Sequence, residues 1–154
     1  MNNSVIDGAI DQFDKDQFKD GDIISREWIK WALRIKEPST VQEYEEMQWL
    51  LLSRFEDFKD RLLKDRQIAL RNVRGNGYLI VPPGEQAQYA AEKGIRHIRK
   101  GIQEADKLLT NVRSEQLTDE ERKRHVDTQC RFDGIKGIMS RQKKDVFALF
   151  EYKE

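Results

Sequence analysis

Asn72-Val73-Arg74-Gly75-Asn76-Gly77-Tyr78-Leu79-Ile80-Val81-Pro82-Pro83 is the stretch on which the reading of the fold turns. Glycine and asparagine accept the positive φ angles of a tight hairpin, and the β-branched and aromatic residues on either side suit a half-buried ribbon. Proline has no amide to donate to a continuing ladder, so Pro82 and Pro83 close the second strand. The expectation is a two-stranded antiparallel hairpin over residues 66–82, turning at Gly75-Asn76-Gly77. Its tip would carry Arg71, Arg74 and Asn76, side chains able to reach a phosphate backbone.

Upstream, Ser25 is a good N-cap for a helix running to about Ile35, with Glu27 in its first turn. Trp28, Trp31, Ala32 and Ile35 give that helix an apolar face. Pro38 ends it, because the residue before a proline avoids helical angles. Thr40-Val41-Gln42-Glu43 then reads as a capping box. Val41, Tyr44, Met47, Leu51, Phe55, Phe58 and Leu62 follow in steps of 3 and 4. Ser53-Arg54-Phe55-Glu56 is a second possible box, so residues 40–65 read either as one long helix or as two with a break at Ser53. With the break the order is three helices and a hairpin.

The run from Arg71 to Pro82, preceded by Arg61-Leu62-Leu63-Lys64, resembles the wing hairpin of response-regulator output domains, where a Val-Arg-Gly-x-Gly-Tyr segment follows a recognition helix. The likeness is confined to segment 61–83. It implies a winged-helix core over residues 24–84 and contact with duplex DNA.

Residues 1–23 are rich in aspartate (Asp7, Asp11, Asp14, Asp16, Asp20, Asp22) and read as an acidic N-terminal arm or short helix. Beyond the prolines, Ala91, Ile95, Ile98, Ile102, Ala105, Leu109 and Val112 step 4-3-4-3-4-3, a heptad seam. Thr118-Asp119-Glu120-Glu121 opens another helix carrying Val126, Cys130, Ile135, Ile138 and Met139. Residues 85–154 therefore read as an antiparallel helical hairpin with an apolar tail at Val146, Phe147, Leu149 and Phe150. The fold class expected is mainly α with one β-hairpin.

Charge narrows the functional classes. The 154 residues hold 28 Lys and Arg against 28 Asp and Glu. Residues 1–60 have 8 basic against 14 acidic, net −6, and residues 61–154 have 20 against 14, net +6. A uniformly basic nucleic-acid binder is excluded, whereas a basic surface on the second half is allowed. One cysteine, Cys130, forbids an intrachain disulfide and suits a reducing compartment. No apolar run approaches the ~20 residues of a membrane helix, and the acidic N-terminus is unlike a signal peptide. A cytoplasmic protein that does not engage membrane is expected.

Asp16 to Glu27 matches part of an EF-hand loop, but Phe18 and Ile24 stand where oxygen donors are needed. A turn ahead of the Ser25-capped helix explains the segment better, and no metal or cofactor is expected. His97 and His125 stand among Arg and Lys on solvated faces. No nucleophile, phosphate-loop or zinc-protease pattern occurs, so the chain does not read as an enzyme. Phosphate contacts come from clustered basic residues. Here these are Arg61, Lys64 and Arg66 before the hairpin, Arg71, Arg74 and Asn76 on it, and Arg96 and Lys100 on the heptad helix. The favoured expectation is a DNA-binding regulatory or replication-accessory protein, homodimeric through Ile95, Ile98, Ile102 and Leu109. The competing expectation is a small adaptor or inhibitor, of the kind phages encode, that docks its long helices and acidic half onto a basic nucleic-acid enzyme.

Overall fold

A computed structural model describes residues 2–141. The elements run α1 (Asn2–Asp16), β1 (Ile23–Ile24), α2 (Arg26–Ala32), α3 (Val41–Arg66), β2 (Leu70–Val73), β3 (Gly77–Ile80), α4 (Pro83–Thr110) and α5 (Asp119–Arg141), with a 3-10 turn at Ser114–Gln116. The chain is mainly helical, as expected, and divides into two units, Met1–Ala87 and Gln88–Glu154. The apolar tail from Val146 to Phe150 lies outside the described residues.

Of the two readings of residues 1–23, the short helix is the one that forms, as α1, and it is not a free acidic arm. Ile6, Ala9, Ile10 and Phe13 recur at helical spacing, and α1 buries all four, with none more than 5% exposed. The aspartates occupy its other faces. The first compact unit takes in the N-terminal helix and runs to Ala87. Phe13 continues into an aromatic cluster: its ring lies 5.3 Å from Phe18, 6.3 Å from Trp28 and 6.4 Å from Phe58. Trp28 seats its indole N–H on Asp16 Oδ2 at 2.6 Å, so the aspartate that opened the EF-hand-like segment holds a tryptophan.

The helix starts follow the local chemistry. Ser25 Oγ accepts the Trp28 amide at 3.1 Å, and Thr40 Oγ1 accepts that of Glu43 at 3.1 Å. Ser53, in contrast, stands exposed inside an unbroken α3. The interval contains no glycine or proline, and the burial of Met47, Phe55, Phe58 and Leu62 along one face rewards continuation. The three helices ahead of the hairpin are α1, α2 and α3, not halves of a divided α3. Arg54 ties α3 to α2. Its guanidinium donates to the C-terminal carbonyls Leu33 O (2.8 Å) and Arg34 O (3.3 Å), while its Nε is buried without a partner.

The hairpin is part of a three-stranded antiparallel sheet ordered β1-β3-β2. Val73 pairs with Gly77, and Leu70 with Ile80. The turn is thus Arg74-Gly75-Asn76, closed by Asn76 N–H on Val73 O at 3.0 Å, and Gly77 belongs to the strand. Arg66, expected to begin the ribbon, ends α3 instead, with Gln67 in the left-handed region at φ 56°. Ile23 pairs with Leu79 and Ile24 with Tyr78 on the far side of β3. Pro82 interrupts the ladder, and Pro83 is the first residue of α4, where a missing amide costs nothing.

In the second unit no residue of α4 is buried. Ile98 is 56% exposed, while Ile95, Ile102 and Leu109 are half-buried. The Thr118 box forms: Glu121 Oε2 accepts the Thr118 amide at 2.9 Å, and Thr118 Oγ1 accepts that of Glu121 at 3.3 Å. Lys136 on α5 donates to Asp106 on α4 at 2.6 Å, which joins the two arms of the helical hairpin.

Candidate functional site

Two of the basic residues singled out from the sequence are engaged in ion pairs within the first unit. Arg61 donates to Asp7 at 2.7 Å and to Asp65 at 3.0 Å. Arg66 meets Asp14 with two nitrogens, the shorter contact being 2.7 Å. These aspartates lie on the outer faces of α1 and on α3 itself. They raise both guanidinium pKa values further, Asp65 being the main cause for Arg61 and Asp14 for Arg66. Lys64 is exposed in the last turn of α3. Arg71 is exposed on β2, and Arg74 and Asn76 are exposed at the turn. With strands rising about 3.3 Å per residue, the tip stands roughly 13 Å along the ribbon from Leu70, where β2 leaves α3. Arg96 and Lys100 are exposed on α4 in the other unit, Lys100 at 3.9 Å from Glu104. No helix among the described residues is long and apolar enough to cross a membrane.

A different surface of the first unit is better formed. Only Met47 is buried among the first ten residues of α3, so this end of the helix stands clear of the core. At 100° per residue, Glu45, Trp49, Glu56 and Asp60 fall on the side turned away from the buried face. Trp49 is 75% exposed, with Val41 at 80% and Leu52 at 52% beside it. Residues 41–60 carry 6 acidic side chains against 2 basic, net −4. Of the two, Arg54 is occupied with the end of α2 and Lys59 lies 2.7 Å from Glu56. Next to this ridge, α2, α3 and Tyr78 of β3 enclose an open groove of about 570 Å³, with Ile29, Tyr44, Leu51 and Leu52 among its lining. Phe55 and Tyr78 form its floor, their rings 4.3 Å apart.

The ridge was readable in principle. Trp49 stands outside the 3-and-4 stripe that builds the core side of α3, and an indole on the wrong side of an amphipathic helix marks a second apolar face. Comparison with protein-family models, with curated proteins and with solved structures found no match to this chain.

Proposed function

We propose that residues 1–87 are a protein-docking module that binds a basic partner surface through the outer face of α3. In this reading Trp49 enters an apolar pocket of the partner, and Glu45, Glu46, Glu56, Asp57 and Asp60 meet cations around it. The observation that carries the proposal is the exposure of Trp49, 75%, in the middle of an acidic helix face. Aromatic side chains ringed by polar ones are the usual anchors of protein interfaces, and complementary charge steers the partner and fixes its register. A phosphate backbone is repelled by the same face. The first unit as a whole has 13 basic against 16 acidic residues, net −3, whereas duplex binding rests on neutralising phosphates. A nucleic-acid enzyme, whose substrate channel is basic, is the class of partner that fits. The single cysteine suits a reducing, cytoplasmic setting.

The second reading is DNA contact by the hairpin. It is favoured by the exposure of Arg74 and Asn76 at the turn. Two measurements separate the readings. On an array of random peptides, docking predicts enrichment of Lys- and Arg-rich peptides containing an aliphatic or aromatic residue, and loss of that enrichment in Trp49→Ala. Indifference of the array to Trp49→Ala overturns it. In a salt titration with random duplex, docking predicts no salt-sensitive complex. A complex that weakens steeply with salt and disappears in Arg71→Glu/Arg74→Glu establishes the DNA reading instead.

A further inference from the structure

The heptad seam of α4 has two properties beyond its apolar spacing. Its core positions are Ile95, Ile102 and Leu109 on one line and Ala91, Ile98, Ala105 and Val112 on the next. The seam is covered only in part: Ala91, Ile95, Ile102, Ala105 and Leu109 are half-buried, whereas Ile98 is 56% and Val112 37% exposed, and no α4 residue is fully buried. A strongly amphipathic helix gains most of its stability from packing that face, so the seam calls for an occupant. The flank of the seam says which. Immediately after the second line, one per heptad, come Glu92, Arg99, Asp106 and, just past the helix end, Arg113. The sign alternates at every heptad.

We propose that a second copy of the chain occupies the seam, antiparallel, in the single register that sets Arg99 of each copy against Asp106 of the other. In an antiparallel pair each flank faces the same flank of its partner. This register also sets Glu92 against Arg113, and it layers Ile102 on Ala105 and Ile98 on Leu109. Sliding one copy by a heptad in one direction opposes Glu92 with Asp106 and Arg99 with Arg99. Sliding it the other way opposes Arg99 with Arg113 and Asp106 with Asp106. Like charges at such sites destabilise, so both slipped registers are disfavoured. A parallel pair would face the same charges with Ala87, Gly94 and Gly101, which offer none of them a partner. Arg99 makes no ion pair among the described residues, so this cation is unspent in the single chain. Asp106 has Lys136 on Oδ1 at 2.6 Å and keeps its second oxygen for a second cation. This inference concerns the second unit and does not depend on the docking role of α3.

The experiment is sedimentation equilibrium of the full chain from roughly 1 to 100 µM, with charge-swap variants. The wild type should change from monomer to dimer across that range. Arg99→Asp and Asp106→Arg should each weaken the dimer about tenfold, since two symmetric pairs are turned into repulsions. The double variant should regain most of the wild-type affinity. The double variant also discriminates against a purely intrachain role for Asp106, because Arg99→Asp cannot restore the contact with Lys136. A second readout fixes direction: in a Cys130→Ser background, Ile102→Cys/Ala105→Cys should crosslink between copies under mild oxidation, as their Cβ atoms adjoin only in this register. A chain that stays monomeric at the top concentration overturns the proposal, with the seam then covered from within the chain. A dimer that the double swap fails to rescue, or one that crosslinks through Ile98 to Ile98, overturns the register.

Discussion

Gly77 offers the sharpest test of how the sheet is built. It sits in β3 at φ +123°, and a Cβ added there would run into the carbonyl oxygen of Ile24, with Ile24 C at 3.1 Å and Ser25 Cα at 3.2 Å. The obstacle is backbone on all three counts, so no rotamer change relieves it. Alanine therefore has two costs. The positive φ costs about 1–3 kcal/mol in a region L residues avoid. The clash then forces β1 away from β3, exposing Ile24, which is fully buried, and burying that side chain is worth roughly 1.5–3 kcal/mol. Together these give a loss of about 2.5–6 kcal/mol, against the roughly 5–15 kcal/mol that holds a domain together. Gly75 supplies the control. Its φ of +86° is also left-handed, but nothing lies within 4 Å of its added Cβ, so Gly75→Ala should cost only about 1–2 kcal/mol. Urea unfolding monitored by tryptophan fluorescence reads both. Trp28 lies in the aromatic cluster packed on Phe13 and Phe58, so the signal follows the core of the first unit. If Gly77→Ala is no more destabilising than Gly75→Ala, β1 does not press on Gly77 and the third strand is misplaced.

Three other outcomes follow from the packing and capping. Arg54→Met should destabilise the first unit by about 2 kcal/mol, because two carbonyls at the end of α2 lose a charged donor, with urea midpoints as the measure. Removing residues 1–16 should abolish the cooperative unfolding of the first unit, since Ile6, Ala9, Ile10 and Phe13 leave the core with them; a truncated chain that still melts cooperatively would make α1 dispensable. The Thr118 amide and hydroxyl hold the Glu121 carboxyl below its ordinary pKa of 4.5. A depressed acid stabilises the folded state above its ordinary pKa and loses that contribution as pH falls through the lowered value. The start of α5 should therefore loosen as pH falls from the ordinary carboxyl value of 4.5 through the lowered one, and a carboxyl NMR titration should show the Glu121 midpoint shifting upward in Thr118→Val.

Local chemistry was legible from the sequence wherever one or two neighbouring residues decide the outcome. Ser25, Thr40 and Thr118 cap where their spacing to Trp28, Glu43 and Glu121 says they should, and the Arg74-Gly75-Asn76 turn falls within one residue of the expected place. What the sequence concealed depends on partners distant in the chain. Asp7 and Asp14 read as part of an acidic stretch because their cations, Arg61 and Arg66, lie 54 and 52 residues away. The same pairing removes two arginines from the basic cluster before the hairpin. Strand β1, two residues long, carries no periodic signal and exists because β3 presents a free edge beside it. The helical spacing of Ile6, Ala9, Ile10 and Phe13 was present all along, masked by Gly8 and by the density of aspartate around it.

The distribution of the core leads to one more expectation. Every buried apolar residue among those described lies between Ile6 and Val81, so the first unit has a core of its own. In the second unit α4 buries nothing, and Val126, Ile135 and Ile138 of α5 are each more than 40% exposed. Two helices linked by the Lys136–Asp106 ion pair and half-covered seams have little apolar burial to set against the entropy of ordering them. Their stability must come from outside the pair, and under the antiparallel arrangement it comes from a second copy. Association that favours the folded form makes the melting temperature depend on concentration. Calorimetry of the full chain should then show two transitions. The one belonging to the first unit should stay fixed, while the other should climb with each tenfold rise in protein concentration and lose that dependence in Ile98→Asp. A single transition indifferent to concentration would mean that the helical hairpin is stabilised within one chain, and the open seam would need a different occupant.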